Sequence, residues 1–276
     1  MRCFEVSLSE EYGLQGGKLL CILGDCPMDG EHPEWKRPAV VTVPGGDYWM
    51  CSKTEGEPFA SYFLGKGFQT FILTYLTCQD GAHYPEQLLE LAAAVDYVKT
   101  HAAELCVNPD EVFVAGNSGG GHLTANLAVD YPIASRKLGR MLNCRPDAVC
   151  LSYPVITTKA GYARSHKNLL DGCTDAEKAE YMNRLELDEL VTEDTPPAFI
   201  WATAEDPVVP AENAMRFALA CARHKVPYEL HVYPQGWHGL STCNRELCGD
   251  EPYLKKNGQW LDNCAEFFRL YTKEKF

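Results

Sequence analysis

The chain has 276 residues, of which 46% are hydrophobic and 23% are charged, and its formal net charge is −13. These values are typical of one soluble globular domain. An acidic surface repels phosphate groups, and no run of Lys and Arg reverses its sign locally, so nucleic acid is excluded as an expected partner. No apolar run approaches the roughly 20 residues that cross a bilayer, so no membrane partner is expected either.

Thirteen cysteines are scattered along the chain. Their number is odd, no C-x-x-C pair occurs, and the N-terminal MRCFEVSLSEEYG lacks the apolar core of a signal peptide. We therefore interpret the cysteines as reduced thiols, many of them buried as small hydrophobic side chains, and we expect a cytoplasmic protein.

Apolar runs of strand length alternate with helical patterns along the chain. This alternation predicts an α/β fold with a mostly parallel, twisted eight-stranded sheet that helices cover on both faces. The predicted strands are Cys3–Leu8, Leu19–Leu23, Ala39–Val43, Phe68–Leu76, Glu111–Ala115, Ala148–Ser152, Ala198–Ala202 and Tyr228–Tyr233. The first two precede any predicted helix, so a short connection can join them as an antiparallel edge.

The predicted helices lie between the later strands. Pro85 suits the first turn of one helix, whose buried stripe is formed at helical spacing by Leu88, Leu91, Val95 and Val98. Further helices are predicted at Gly119–Asp130, at Pro210–His224 and near Gln259–Tyr271.

Residues 157–197 interrupt this alternation with a polar, charged stretch in which Asp175–Arg184 is the clearest helical piece. No repeat or linker divides the chain, so we predict a single domain over residues 1–276 with an insertion at about 157–197. We interpret the insertion as a cap or partial lid, because functional loops gather at the C-terminal ends of parallel strands. The alternative is a decorated surface loop.

The segment Gly116–Gly120 reads G-N-S-G-G and matches the pattern G-x-S-x-G. A buried strand precedes it and a helical pattern follows, which places Ser118 on the sharp strand-to-helix turn of a nucleophile elbow and predicts the α/β-hydrolase fold. Gly116 and Gly120 remove side chains that would clash in this strained turn. A glycine-rich nucleotide-binding turn is the alternative, but the spacing is not G-x-G-x-x-G and no Walker lysine follows.

A serine nucleophile needs a base and an orienting acid, which follow it in the chain order Ser, Asp or Glu, His. Asp206 lies in the loop after the strand Ala198–Ala202 and is the predicted acid, with Glu205 as the fallback. His238 lies in a glycine-flanked loop after the last strand and is the predicted base. The alternatives are an ordinary turn or N-cap aspartate and a surface histidine.

The predicted oxyanion hole has two parts. The first is the backbone N–H of Gly119, directly after the nucleophile. The second is the loop after the third strand, which turns through Gly45 and Gly46 to Asp47 and whose amides can approach a ligand. The alternative is a plain glycine turn.

Six motifs occur in one order along nearly the whole chain. They are Pro44-Gly45-Gly46-Asp47-Tyr48, Gly116-Asn117-Ser118-Gly119-Gly120-Gly121-His122-Leu123, Ser152-Tyr153-Pro154-Val155-Ile156, Thr195-Pro196-Pro197, Glu205-Asp206-Pro207-Val208-Val209-Pro210 and Trp237-His238-Gly239-Leu240. The set resembles the bacterial acetyl-esterase group of α/β hydrolases, often labelled acetyl-xylan esterase or sugar-ester hydrolase. That group is related to hormone-sensitive-lipase-like and feruloyl-esterase-like families.

The resemblance implies that Ser118, Asp206 and His238 form a catalytic triad, with oxyanion donors at Gly119 and in Gly45–Asp47. It also implies removal of short acyl groups, chiefly acetyl, from carbohydrates. Two positions depart from the family pattern, because Asp47 stands where a third glycine is usual and Gly119 stands where alanine is frequent. Backbone donors survive both changes, and the Asp47 carboxylate either lines the site or points to solvent.

We therefore predict a serine esterase that hydrolyses short-chain acyl esters on carbohydrates such as xylo-oligosaccharides. The alternatives are a peptidase or an arylformamidase with the same triad, or a noncatalytic binding protein on the same fold. No metal or organic cofactor is expected, because His238, Cys243 and Cys248 lack the tight ligand pairs of zinc sites. The expected partner is a small-molecule or oligosaccharide ester, and the sequence leaves a homodimer open.

Overall fold

The computed structural model describes residues 1–26 and 35–273. Its strands are β1 (Arg2–Ser7), β2 (Lys18–Leu23), β3 (Arg37–Val43), β4 (Gln69–Thr74), β5 (Val107–Asn117), β6 (Val149–Ser152), β7 (Ala198–Thr203) and β8 (Tyr228–Tyr233). They form one sheet in the order β1-β2-β4-β3-β5-β6-β7-β8. β2 is antiparallel to both β1 and β4, and the remaining pairs are parallel. The predicted fold class and its antiparallel edge are confirmed.

Helices occupy most of the connections between strands. They are α1 (Leu8–Tyr12), α2 (Glu57–Gly65), α3 (Glu86–Thr100), α4 (Ala102–Leu105), α5 (Gly119–Leu138), α6 (Arg164–Leu169), α7 (Asp175–Met182), α8 (Glu212–His224), α9 (Arg245–Cys248), α10 (Leu254–Asn257) and α11 (Gln259–Arg269). None of those described is long and apolar enough to cross a membrane.

The first connection differs from the prediction, which placed Leu8 in a strand. Leu8 instead begins α1, because the Ser7 hydroxyl accepts a hydrogen bond from the Glu10 amide and caps the helix. Gly13 ends the helix in the left-handed conformation, with φ of 69°.

The core lies on both faces of the sheet. On one face, α3, α5 and α8 pack aliphatic side chains against the strands. The other face is aromatic, because the ring of Phe268 on α11 stacks on Phe113 with centroids 4.5 Å apart. Trp260 stacks likewise on Trp201 at 4.9 Å. A sheet buried on both faces leaves its strand ends as the places where polar side chains can gather.

The insertion at residues 157–197 contains α6, α7 and two short 3₁₀ turns, Thr158–Ala160 and Leu187–Glu189. The helix predicted at Asp175–Arg184 is α7, which begins with a capping box between Thr174 and Glu177. Arg184 follows that helix and makes a bidentate ion pair with Asp130 of α5 at 2.8–3.1 Å. The insertion is therefore attached to the main body by directional contacts.

Cys26 and Cys106 form a disulfide, so the expectation that every cysteine is a reduced thiol is wrong for this pair. The two residues are 80 positions apart in the chain; Cys26 follows β2 and Cys106 follows α4. The other eleven cysteines are free, and eight of these are buried, as expected.

Candidate active site

Ser118 lies at the elbow between β5 and α5, with φ of 52° and ψ of −118°. A Cβ atom at Gly116 would overlap the Thr124 hydroxyl, and one at Gly120 would overlap the carbonyl oxygen of Val43. Both glycines are therefore required by close backbone packing, as the sequence predicted. Ser118 follows β5, and its N–H donates a hydrogen bond to the carbonyl of Ser152 at the end of β6 at 3.0 Å. This bond fastens the strained serine to the neighbouring strand.

The structure brings the three predicted triad residues together. The Ser118 Oγ lies 2.7 Å from Nε2 of His238, and Nδ1 of His238 lies 2.7 Å from Oδ2 of Asp206. The second Asp206 oxygen accepts hydrogen bonds from the amides of Val208 at 2.8 Å and Val209 at 3.0 Å. The Asp206 side chain is fully buried, whereas the fallback acid, Glu205, is exposed.

The loop after β8 places the histidine. Gly236 has φ of 132° and Gly239 has φ of 79°, values at which a side chain is strained. The carbonyl of Gly236 accepts a hydrogen bond from the Thr203 hydroxyl at 2.7 Å, which fastens this loop to the end of β7. Because Asp206 follows the same strand, the Asp206 carboxylate and the His238 imidazole are both positioned by the end of β7.

The predicted oxyanion donors separate into two groups. A Cβ atom at Gly119 would lie 3.0 Å from the Asp47 nitrogen, so the backbones of these two residues meet beside the nucleophile. Neither amide donates to a protein atom within the described ranges. Gly45 differs, because its N–H already donates to Oε2 of Glu55 at 2.9 Å and is not available to a ligand. Gly46 supplies the turn, with φ of 120°.

The Asp47 side chain does not point to solvent, and it is hydrogen-bonded to the insertion. Its carboxylate accepts hydrogen bonds from the hydroxyls of Tyr162 and Ser165, both at 2.6 Å, and its side chain is 19% exposed. Its carbonyl accepts from Asn168 Nδ2 at 2.8 Å, and Arg164 lies 3.7 Å from the carboxylate. Burial and the nearby carboxylate raise the pKa of Tyr162. Asp47 thus connects the loop Gly45–Asp47, called the oxyanion loop below after its predicted role, to the insertion.

Two buried histidines make a second connection between the same segments. His122 lies on α5. Its Nδ1 is hydrogen-bonded to the Tyr48 hydroxyl at 2.7 Å, and its Nε2 lies 3.3 Å from the Leu185 carbonyl oxygen. Nε2 of His166 lies 3.0 Å from that same carbonyl. Burial and the neighbouring His166 lower the pKa of His122 well below its ordinary value, and burial lowers the pKa of His166.

Sequence reasoning missed Glu55 and the contact it makes. This residue stands in the charged run Lys53-Thr54-Glu55-Gly56-Glu57, which is typical of a solvated surface, yet it is only 5% exposed. Its Oε1 accepts a hydrogen bond from the Tyr153 hydroxyl at 2.8 Å. The motif Ser152-Tyr153-Pro154 was the available signal, but it gave no partner for the tyrosine.

Two tryptophans beside the predicted site residues are unusually exposed for large apolar side chains. Trp49, two residues after Asp47, is 46% exposed. Trp237, directly before His238, is 42% exposed, and its ring meets that of Tyr253 edge-on at 6.0 Å. The chain therefore presents indole surface on both the oxyanion loop and the histidine loop.

The chain is similar to a family of hydrolases and to several known hydrolases. The family model described as BD-FAE matches residues 28–220. The endo-1,4-beta-xylanase B of Butyrivibrio fibrisolvens is 35% identical over 217 residues, covering 77% of this chain and 34% of that protein. An acetylxylan esterase of Xylanibacter ruminicola is 28% identical over 268 residues, covering 94% of this chain and 50% of that protein. The chain thus spans half or less of these relatives.

Among solved structures, an acetyl ester-xyloside bifunctional hydrolase from Caldicellulosiruptor lactoaceticus is similar, with a TM-score of 0.80 and 28% identity. The match covers 97% of this chain and 96% of that one. The carboxylesterase Cest-2923 from Lactobacillus plantarum has a TM-score of 0.77 and 25% identity, covering 97% and 94%. The elbow, the order of the strands and the family match agree, and the chain belongs to the BD-FAE family of α/β hydrolases.

Proposed function

We propose that the chain is a serine esterase that removes short acyl groups, chiefly acetyl, from carbohydrates such as xylo-oligosaccharides. The observation that carries the proposal is the continuous hydrogen-bonded series from Ser118 through His238 to the buried Asp206. Similarity to an acetylxylan esterase and to an acetyl ester-xyloside hydrolase supports the choice of acyl group and alcohol.

In the proposed mechanism, Nε2 of His238 takes the proton from Ser118 as its oxygen attacks the ester carbonyl. Asp206 accepts the Nδ1–H hydrogen bond, which fixes the reactive tautomer and stabilises the imidazolium. The protonated imidazole then gives its proton to the leaving sugar hydroxyl, and an acyl-serine remains. Water, deprotonated by the same imidazole, releases the carboxylic acid and restores Ser118.

The amides of Gly119 and Asp47 are the proposed oxyanion donors, because they meet beside the nucleophile and have no protein acceptor among the described residues. Gly46 remains a candidate in the same turn. The first turn of α5 adds the positive end of its helix dipole. One donor of this kind contributes about 3 kcal/mol to transition-state stabilisation.

A carbohydrate alcohol suits the surroundings of the triad. The indoles of Trp49 and Trp237 combine flat apolar surface with a polar N–H, which matches a sugar ring that has apolar faces and hydroxyl edges. The net charge of −13 disfavours anionic substrates and leaves neutral xylo-oligosaccharides acceptable.

Ser118→Ala tests the triad, with exposed Ser61→Ala as the matched control. We expect Ser118→Ala to lower kcat on p-nitrophenyl acetate by at least about 10⁴-fold and to abolish labelling by a fluorophosphonate probe. Ser61→Ala should behave as the wild type. Hydrolysis retained by Ser118→Ala would overturn the assignment of the nucleophile.

The substrate class needs its own comparison. Acetate release from acetylated xylo-oligosaccharides should exceed hydrolysis of N-formylkynurenine and of aminoacyl-proline amides, and p-nitrophenyl acetate should be preferred over the octanoyl ester. Trp237→Ala should raise KM for the oligosaccharide while leaving p-nitrophenyl acetate unchanged. Faster turnover of the formamide or the amides would instead identify an arylformamidase or a peptidase.

A further inference from the structure

We propose that Glu55 is a positioning residue for this site: its carboxylate holds the oxyanion loop above Ser118 and, through Tyr153, supports the ring of His238. The proposal rests on the proposed esterase activity, but it concerns residues outside the triad. Four hydrogen bonds of the Lys53–Glu55 turn, which reach three parts of the site, carry it.

The first contact fixes the oxyanion loop. Oε2 of Glu55 accepts the hydrogen bond of the Gly45 N–H at 2.9 Å. A Cβ atom at Gly45 would lie 2.9 Å from the Cβ of Ser118, so the loop passes directly over the nucleophile. Asp47 lies two residues farther along. A small movement at Gly45 therefore displaces the Asp47 amide relative to the serine.

The second contact reaches the histidine. Oε1 of Glu55 accepts from the Tyr153 hydroxyl at 2.8 Å, and the Tyr153 ring meets the His238 ring nearly edge-on, with centroids 5.2 Å apart. The same hydroxyl accepts a hydrogen bond from the Ser241 amide at 3.1 Å, which directs its proton toward Glu55. Both carboxylate oxygens thus receive a donor, the pattern that suits the ionised form.

The third contact reaches the elbow. The carbonyl of Glu55 accepts from Nδ2 of Asn117, the residue before the nucleophile, at 3.4 Å. The adjacent Thr54 carbonyl accepts from the Ser241 hydroxyl at 2.6 Å, in the loop that follows His238. One short turn therefore touches the elbow, the oxyanion loop and the histidine loop.

Burying a carboxylate costs free energy, so we expect a group nearby that a negative charge at Glu55 would stabilise. Four titratable groups face Glu55, and each follows a strand in the chain: Asp47 after β3, Tyr75 after β4, Tyr153 after β6 and His238 after β8. Burial raises the pKa of Glu55, and the hydrogen bonds from Tyr153 and Gly45 oppose that rise. Of these groups, only the imidazole becomes a cation, and it does so during the proposed reaction.

Glu55→Gln removes the charge and keeps the shape, and the exposed Glu57→Gln is the matched control. We expect Glu55→Gln to lower kcat on p-nitrophenyl acetate by 10- to 100-fold with KM within threefold. We also expect the acidic limb of the kcat/KM profile to move to lower pH, because a negative charge that favours the protonated imidazole is lost. Glu55→Asp should restore the position of that limb.

A second measurement does not need turnover. Proton NMR of the His238 Nδ1–H resonance, titrated with pH, should give a lower midpoint in Glu55→Gln than in the wild type or Glu57→Gln. Wild-type protein without esterase activity would refute the proposed function, while this titration still tests Glu55. If Glu55→Gln does not fold, Tyr153→Phe is measured instead: it keeps the charge of Glu55 and removes the hydrogen bond that connects Glu55 to the ring beside His238, so kcat on p-nitrophenyl acetate should fall with KM within threefold. An unchanged midpoint in folded Glu55→Gln, or wild-type kcat in Tyr153→Phe, overturns the proposal.

Discussion

Asp47→Asn is the most informative change at the oxyanion loop, because it alters the carboxylate with little effect on the backbone. Asp47 has φ of 58°, a conformation that asparagine tolerates far better than alanine. The substitution removes the negative charge and one acceptor oxygen, while the hydroxyls of Tyr162 and Ser165 remain in place. Its effect therefore reports on the connection between loop and insertion.

The structure sets the expected magnitude. Two hydroxyls donate to the Asp47 carboxylate at 2.6 Å, and a hydrogen bond to a charged group contributes about 1.5–3 kcal/mol. Asparagine keeps one acceptor, so the free energy of unfolding should fall by about 1–2 kcal/mol. Because full loss of an oxyanion donor costs about 10²–10³ in kcat, a displaced Asp47 amide should lower kcat on p-nitrophenyl acetate roughly tenfold.

Thermal unfolding by circular dichroism and steady-state kinetics measure the two effects on the same samples. Tyr162→Phe is the matched variant, since it removes one donor and keeps the charge and the Ser165 hydrogen bond. It should lose less stability and less kcat than Asp47→Asn. A variant Asp47→Asn that loses stability but keeps wild-type kcat would show that the carboxylate only braces the insertion and does not position the amide.

Two further predictions concern the core. Burial raises the pKa of Glu90 to about 8, so the native state keeps a proton that the unfolded chain has lost, and stability should fall as pH rises from about 4.5 to about 8. Glu90→Gln should flatten this dependence and raise the melting temperature at pH 9, and an unchanged slope would contradict the assignment. Phe268→Ala, which removes a fully buried ring stacked on Phe113, should cost about 3–5 kcal/mol in urea unfolding. Leu270→Ala, at a position 73% exposed, should cost less than about 0.5 kcal/mol, and equal losses would count against the core assignment.

The sheet could be predicted from the sequence because its central strands are buried on both faces. Such strands are continuous apolar runs, and β7 at Ala198–Thr203 extends the predicted Ala198–Ala202 by one residue. The proximity of the triad followed from the same pattern. Ser118, Asp206 and His238 each come after a parallel strand, and parallel strands bring these ends to one edge of the sheet.

The contacts that surround the triad could not be predicted in this way, since they depend on pairings between distant segments. Asp47 meets Tyr162 across 115 positions, and Glu55 meets Tyr153 across 98. Nothing local distinguishes Glu55 from the exposed Glu57 two residues later. The helix α2 was also missed: Phe59, Ala60 and Phe63 recur at helical spacing, but the helix has only nine residues and begins at Glu57 inside the same charged segment.

The oxyanion loop has a physical reason to need the carboxylates of both Glu55 and Asp47. It turns through Gly45 and Gly46, which carry no side chains to fix the backbone, and glycine loses more conformational freedom on folding than any other residue. A donor stabilises the transition state only when it is already in place. Glu55 supplies an anchor before the turn and Asp47 supplies one after it.

This arrangement favours a brace over a mobile lid as the role of the insertion. Opening would break the three hydrogen bonds that Tyr162, Ser165 and Asn168 make to Asp47, together with the ion pair between Arg184 and Asp130. At about 1.5–3 kcal/mol for each of the two hydrogen bonds to the carboxylate and about 1 kcal/mol for each of the other two contacts, opening costs about 5–8 kcal/mol, so the open population is on the order of 10⁻⁴ or lower. Opening would also release Asp47 and its amide. We therefore expect the insertion to stay in place during turnover, because its opening would disassemble the proposed oxyanion loop.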